Sequence, residues 1–105
     1  MLRSLSYAAY ASLIVYTARR PEDIESLEPW ARLWERSTGA AFLRTYREAA
    51  AGARFLPSDE GNFRKLLATY LLDKALYELS YELNNRPAWV RIPLMGILSI
   101  PIEAD

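Results

Sequence analysis

Apolar residues recur every three or four positions through the long segments of this chain, and no segment alternates at period two for long enough to be a strand. That spacing places apolar side chains along one face of an α-helix. With 105 residues, the chain is long enough for one domain. The sequence therefore predicts an all-α fold of about four helices, built as a single helical region over residues 1–105.

Proline and glycine indicate where the helices of the first half begin and end. The first helix is predicted over residues 2–17 and stops before Pro21. The second starts at Pro21, and Pro29 either kinks it or begins a new helix. The helical pattern continues to residue 51, and Gly52 is the predicted C-cap.

The second half of the chain predicts one long helix and one short helix. Ser58 is the predicted N-cap of the long helix, which runs to about residue 84. Pro93, Gly96 and Pro101 resist a long helix in the last segment, residues 88–102. That segment is predicted to form a turn near Trp89 and then a short helix over residues 93–98.

Each predicted helix has an apolar face that we expect to be buried. Trp30, Trp34 and Trp89 could form a ligand platform, but we favour their burial as large core side chains. The other core candidates are Leu2, Leu5, Ala9, Leu13, Tyr16, Ile24, Leu27, Leu33, Ala41, Tyr46, Phe63, Leu66, Leu67, Tyr70, Leu71, Leu76 and Leu79.

Residue usage and charge exclude several classes of function. The chain has no Cys and no His, which excludes disulfides, thiolate metal sites and the commonest general base. Its formal net charge is zero and it lacks a basic stripe, which argues against binding to nucleic acid or to a membrane surface. Residues 1–20 are too polar to span a bilayer and lack a clear signal-cleavage site, so we interpret them as an amphipathic helix of a cytoplasmic protein.

Two adjacent carboxylate pairs, Glu22 with Asp23 and Asp59 with Glu60, lie at predicted helix starts, where the helix dipole accounts for them. The four glycines are isolated from one another, so the sequence has no glycine-rich phosphate loop. We therefore predict no catalytic residue, no metal site and no cofactor held by this chain.

A polar stripe follows one side of the third predicted helix. Residues spaced by four stack along a helix, so carboxylates and tyrosines of this stripe lie side by side. Together with amides, they suit a sugar, whose hydroxyls bond to polar groups while an aromatic ring covers its C–H face. Surface ion pairing and ordinary packing of the tyrosines remain the alternative. The stripe comprises Lys74, Tyr77, Glu78, Tyr81, Glu82, Asn85 and Arg86.

Residues 73–98, DKALYELSYELNNRPAWVRIPLMGIL, resemble the carboxyl-terminal end of bacterial maltokinases almost continuously. Three upstream segments resemble the preceding helices of that family, in the same order. They are MLRSLSYAAYASL, RPEDIESLEPWARLWERSTGAAFLRTYREAA and ARFLPSDEGNFRKLLATYLLDKALYEL. The resemblance thus covers essentially the whole chain, and its closing motif is the specific part.

The resemblance implies a kinase-like fold, related to aminoglycoside phosphotransferases, of which this chain is the helical carboxyl-terminal lobe. Maltokinases use ATP and magnesium to convert maltose to maltose 1-phosphate on the route from trehalose to glucan, and many are fused behind trehalose synthase. Their His-x-Asp catalytic loop and nucleotide-binding lobe match nothing in this chain, which has no His. We therefore expect a fragment that is inactive alone.

The resemblance also implies roles on the sugar-acceptor side. It marks Tyr77, Glu78, Tyr81, Glu82 and Asn85 as sugar-binding residues, with Lys74 and Arg86 as ion-pair supports. Ala88 and Met95 depart from the family pattern, where Asp and Arg are expected. If Asp and Arg pair in the family, the loss of both would loosen the terminal loop and leave the stripe unchanged.

Two other functions stay open, and in each of them the chain acts by binding another molecule. The chain could be a small helical binding module, or half of an enzyme that completes a separately encoded amino-terminal lobe. Without that lobe we expect exposed apolar side chains, among them Leu2, Leu5 and Leu13, to favour self-association.

Overall fold

The computed structural model describes residues 1–100, and these residues form four α-helices and two short 3-10 helices, without a strand. In chain order they are α1 (Leu2–Tyr16), a 3-10 helix (Pro21–Asp23), α2 (Ile24–Ala49), α3 (Glu60–Asn85), a second 3-10 helix (Pro87–Trp89) and α4 (Arg91–Ser99). The predicted all-α class is confirmed. Pro101 and Ile102 lie outside the described residues.

The chain divides into two compact units, an amino-terminal unit (Met1–Glu48) and a carboxyl-terminal unit that starts at Ala49. We describe each unit by itself. Across residues 1–100, no helix has both the length and the apolar character required to cross a membrane.

Side-chain hydrogen bonds join α1 to α2 in the amino-terminal unit. Ser6 accepts a bond from Arg3 Nη1 (3.1 Å) and donates to Glu35 Oε1 (2.8 Å). Arg32 donates to the hydroxyl of Tyr10 and to Glu28, and these two acceptors raise the pKa of its guanidinium above the ordinary value. The stripe of α2 that contacts α1 therefore contains Glu35 and Arg32.

Pro29 lies inside α2, so the predicted alternative of a new helix beginning there is wrong. Proline removes one hydrogen bond of the ladder, and the remaining bonds of this 26-residue helix keep it continuous. The helix ends at Ala49, slightly before the predicted residue 51. Gly52 lies in the following turn, where the Ala53 N–H donates to the Ala50 carbonyl at 3.0 Å.

Asp59, not the predicted Ser58, is the N-cap of α3. Its extended backbone and its carboxylate, which accepts from the Asn62 N–H at 2.9 Å, satisfy one of the open donors at the helix start. The last helix also begins earlier than predicted, at Arg91. Pro93 is then its third residue, a position whose N–H has no partner within a helix, so proline costs no hydrogen bond there.

Packing of α4 and the second 3-10 helix against α3 forms the carboxyl-terminal unit. Ile92 and Ala75 are almost completely enclosed, and Phe63 is buried near the start of α3. Full burial of a side chain such as Ile92 stabilises the fold by about 1.5–3 kcal/mol relative to its exposure.

The predicted burial of the tryptophan face of α2 is wrong. Trp30 is 69% exposed and Trp34 is 46% exposed, and Leu33 between them is also exposed. The contacts of Ser6 with Glu35 and of Tyr10 with Arg32 place the opposite side of α2 against α1. The other predicted core residues that the structure exposes are Tyr16, Ala41, Tyr46, Tyr70 and Leu76.

Burial of α1 also corrects the expected exposure of its leucines. Leu13 is buried, and Leu2 and Leu5 are half-buried. Tyr10, which was not among the core candidates, is buried with Ala9. Among residues 1–100, most of the exposed large apolar side chains lie on α2 and α3.

Candidate functional site

A row of exposed side chains runs along the second half of α3. The row consists of Tyr70, Lys74, Tyr77, Tyr81 and Asn85. Their successive spacings of four, three, four and four residues place them on one side of the helix. Tyr70 and Tyr77 are each 66% exposed and Tyr81 is 47% exposed. We call these five residues the tyrosine row. It presents three aromatic rings, an ammonium group and an amide to solvent.

The two carboxylates of the predicted stripe do not belong to this exposed row. Glu78 is 8% exposed and Glu82 has no exposed surface, since both lie on the face of α3 that contains the buried Ala75. A side chain without exposed surface cannot touch a bound sugar unless the packing opens. The structure therefore gives Glu82 a supporting place rather than the direct contact that the stripe suggested.

Arg86 connects the buried carboxylate to the exposed row. Its Nε donates to Glu82 Oε1 at 2.9 Å, which is the ion pair expected of this residue. The same guanidinium lies over the rings of Trp89, 4.3 Å from the centroid, and Tyr81, 5.5 Å from the centroid. Both distances are within the range of cation–π attraction. Arg86 thus fixes Tyr81 and Trp89 relative to the enclosed Glu82.

The backbone around Arg86 explains how this contact arises locally. The Arg86 N–H donates to the Glu82 carbonyl at 2.8 Å and ends α3 as its C-cap. Pro87 cannot continue the helix ladder, and the chain turns into the second 3-10 helix, with the Trp89 N–H donating to the Arg86 carbonyl at 2.8 Å. The turn brings the Trp89 ring back over the guanidinium.

Lys74 and Asn85 are held by neighbours in the row. The Lys74 ammonium lies 5.1 Å from the centroid of the Tyr77 ring, a cation–π contact. Asn85 Nδ2 donates to the Tyr81 carbonyl at 2.9 Å in the last turn of α3. These contacts restrict the side chains that face solvent, which lowers the entropy cost of binding a ligand there.

Tyr70 was not among the predicted site residues, because its ring was counted toward the core. The signal that identifies it is its spacing of seven from Tyr77, two turns along the same side of the helix. Ala88 lies exposed in the second 3-10 helix and Met95 is half-buried in α4, so the two departures from the family pattern occupy different elements.

The other candidate clusters have structural partners. Arg20 lies 3.5 Å from Glu22 and 3.4 Å from Asp23; Arg20 and Glu22 are largely exposed, and Asp23 is half-buried. Asp59 caps α3, while Glu60 pairs with Arg64 at 3.4 Å. Among residues 1–100, no group of three or more carboxylates is placed to hold a metal ion.

No family model matches this chain, and no solved structure matches it either. The chemistry of the site is therefore argued from its own side chains. The tyrosine row offers stacking surfaces and hydrogen-bonding groups, a combination suited to binding a polar ring.

Proposed function

We propose that this chain is the helical, acceptor-side part of a maltokinase and binds maltose along the part of the tyrosine row from Lys74 to Asn85, without transferring phosphate by itself. One observation supports this most. The segment that resembles the end of a maltokinase, residues 73–98, forms a packed arrangement of α3, the 3-10 helix and α4 whose open side carries Tyr77 and Tyr81.

The proposed roles follow from accessibility. Tyr77 and Tyr81 cover the C–H faces of the two sugar rings, while Lys74 and Asn85 bond to hydroxyl groups. Glu82 acts indirectly, because its ion pair holds the Arg86 guanidinium over the Tyr81 ring.

Phosphoryl transfer would need parts that this sequence does not contain. The reaction requires a catalytic base, metal ions and groups that hold the phosphates in line, and the chain has no His for the family's catalytic loop. A maltokinase draws on ATP, so we place the protein in the cytoplasm. We propose an amino-terminal kinase lobe, and trehalose synthase in fused proteins, as the macromolecular partners.

Titration of the purified chain with maltose tests the binding proposal. We expect millimolar sugar to shift the amide resonances of α3 around Tyr77 and Tyr81, and the Tyr81→Ala variant to weaken binding several-fold. Tyr16→Ala is the matched control, because Tyr16 is an exposed tyrosine on α1. Absence of any maltose-dependent shift would contradict the proposal.

A second assay tests the catalytic part of the proposal. Incubated with ATP, magnesium and maltose, the chain should give no maltose 1-phosphate. Product formation by the chain alone would show that it carries its own catalytic groups and would refute a purely acceptor-side role.

The rival function is a helical interaction module, and the exposed Trp30 and Trp34 on α2 favour it. A chain that served only as an interaction module would self-associate or bind a protein partner, and it would not bind maltose. The half-enzyme version of the first proposal predicts instead that activity appears when a separate maltokinase amino-terminal lobe is added.

A further inference from the structure

The tyrosine row is longer than a disaccharide requires. Tyr77 and Tyr81 are one turn apart, about 6 Å along the helix at a rise of 1.5 Å per residue. Tyr70 lies a further two turns away, about 10 Å beyond Tyr77 by the same rise. Two neighbouring rings are enough to cover maltose, so the proposed maltose site leaves Tyr70 without a role.

Tyr70 has the same properties as the rings that the proposed function uses. Its ring is as exposed as that of Tyr77, and it lies on the same side of one continuous helix. Lys74 occupies the turn between Tyr70 and Tyr77, so a hydrogen-bond donor lies between the two aromatic surfaces. Because the row belongs to a single α-helix, that helix sets the spacing of its backbone positions.

The chemistry of the row favours an uncharged, linear ligand with alternating apolar faces and hydroxyl groups. Two carboxylates of this half of α3, Glu78 and Glu82, are enclosed on another side of the helix. The third, Asp73, is exposed beside the row, next to the oppositely charged Lys74. Of the cationic groups near the row, Arg86 is already paired with Glu82 at 2.9 Å. Aromatic rings remain the main contact surface.

We propose that the tyrosine row binds a linear glucose oligosaccharide longer than maltose, with Tyr70 covering a sugar ring beyond the first two. This inference rests on the proposed function, because it extends the same site by one aromatic contact. It makes Tyr70 a residue that determines preference for chain length. Maltose does not reach Tyr70, whereas a longer oligosaccharide does.

The test compares maltose with maltohexaose on the full chain by isothermal titration calorimetry and amide-shift titration. We expect maltohexaose to bind about fivefold more tightly or better, as one additional aromatic contact would give. Tyr70→Ala should remove this gain and leave maltose affinity unchanged. Tyr70→Phe should keep most of the gain, because the ring supplies the contact. Tyr81→Ala should weaken both sugars, and Tyr16→Ala should change neither.

Circular dichroism of each variant establishes that the helices persist, which is expected because Tyr70 is exposed. If both sugars bind equally, the extension is overturned while the maltose proposal stands. If maltohexaose binds more tightly and Tyr70→Ala has no effect, the extension is also overturned. Failure of both sugars to bind overturns both proposals. Binding of maltohexaose alone supports the extended row and contradicts the maltose proposal.

Discussion

Arg86 is the residue on which the arrangement of the candidate site depends most. Its side chain bonds to the enclosed carboxylate of Glu82 and lies against the rings of Tyr81 and Trp89. The guanidinium is 45% exposed while its partner is fully enclosed, so the pair links the interior of the unit to its surface.

Replacement of Arg86 by Met tests the stabilising role of this ion pair. Met keeps the apolar stem but removes the donor, so the buried Glu82 carboxylate loses a charge-assisted bond. We expect the free energy of unfolding to fall by about 1–3 kcal/mol, measured by urea denaturation.

Arg64→Met is the matched control for that experiment. Arg64 pairs with Glu60 at the same spacing of four, but both side chains are largely exposed and lie 3.4 Å apart. Its loss should cost no more than about 0.5 kcal/mol. Equal losses for the two variants would mean that the enclosure of Glu82 adds nothing to the strength of its pair.

At the scale of single elements, the start of α3 shows how the structure selects one of two possible capping residues. The sequence offered Ser58 and Asp59 as neighbouring caps for α3, and only the backbone decides between them. Asp59 has the extended conformation and accepts the Asn62 N–H, which places Ser58 outside the helix. A one-residue difference of this kind cannot be read from composition, because both residue types cap well.

Asp59→Ala should destabilise the chain by about 1 kcal/mol, because the N-terminal donor of α3 loses its acceptor. Ser58→Ala should be nearly neutral. Thermal unfolding followed by circular dichroism gives both values under identical conditions. A larger loss for Ser58→Ala would mean that the cap is one residue earlier in solution.

Glycine substitutions should change stability in opposite directions at two positions of the chain. A Cβ at Gly39, inside α2, would meet Leu2 Cδ2 at 3.5 Å, an ordinary contact, so Gly39→Ala should stabilise by up to about 1 kcal/mol through helix propensity. Gly52 has a φ of +81°, so Gly52→Ala should destabilise by about 1–2 kcal/mol. Chemical denaturation of both variants checks the signs, and a destabilised Gly39→Ala would show that α1 and α2 are too close for a methyl group.

At the scale of the whole molecule, the main property is the apolar surface left exposed. Trp30, Leu33 and Trp34 form an exposed apolar cluster on one side of α2. Large exposed apolar clusters in soluble proteins commonly mark interaction surfaces. The expectation of self-association therefore stays a prediction, although the residues that would mediate it differ from the leucines of α1.

Self-association through this cluster can be measured directly. We expect sedimentation equilibrium to show dimers at high micromolar concentration, and Trp30→Lys with Trp34→Lys to return the chain to monomers. Tyr16→Lys changes an exposed aromatic residue on α1 and should leave the equilibrium unaltered. Monomers across the whole concentration range would refute the prediction.

The sequence alone determined the fold class, the approximate extent of the helices and the alignment of Tyr77 with Tyr81. These properties depend on local spacing and on proline, glycine and capping residues, which act over one or two turns. The place of Arg86 beside Glu82 also follows from spacing by four along one helix.

Only the tertiary structure decided which side of each helix is covered. It enclosed Glu82 and left Tyr70 open, and it turned Trp30 and Trp34 outward although their spacing suits a core. A helix that packs against one neighbour buries only one side. Two sides of the same helix can carry similar apolar patterns, so the sequence does not show which of them is buried. The contacts of Glu35 and Arg32 with α1, and of α4 with α3, settle that choice through long-range packing that no local pattern encodes.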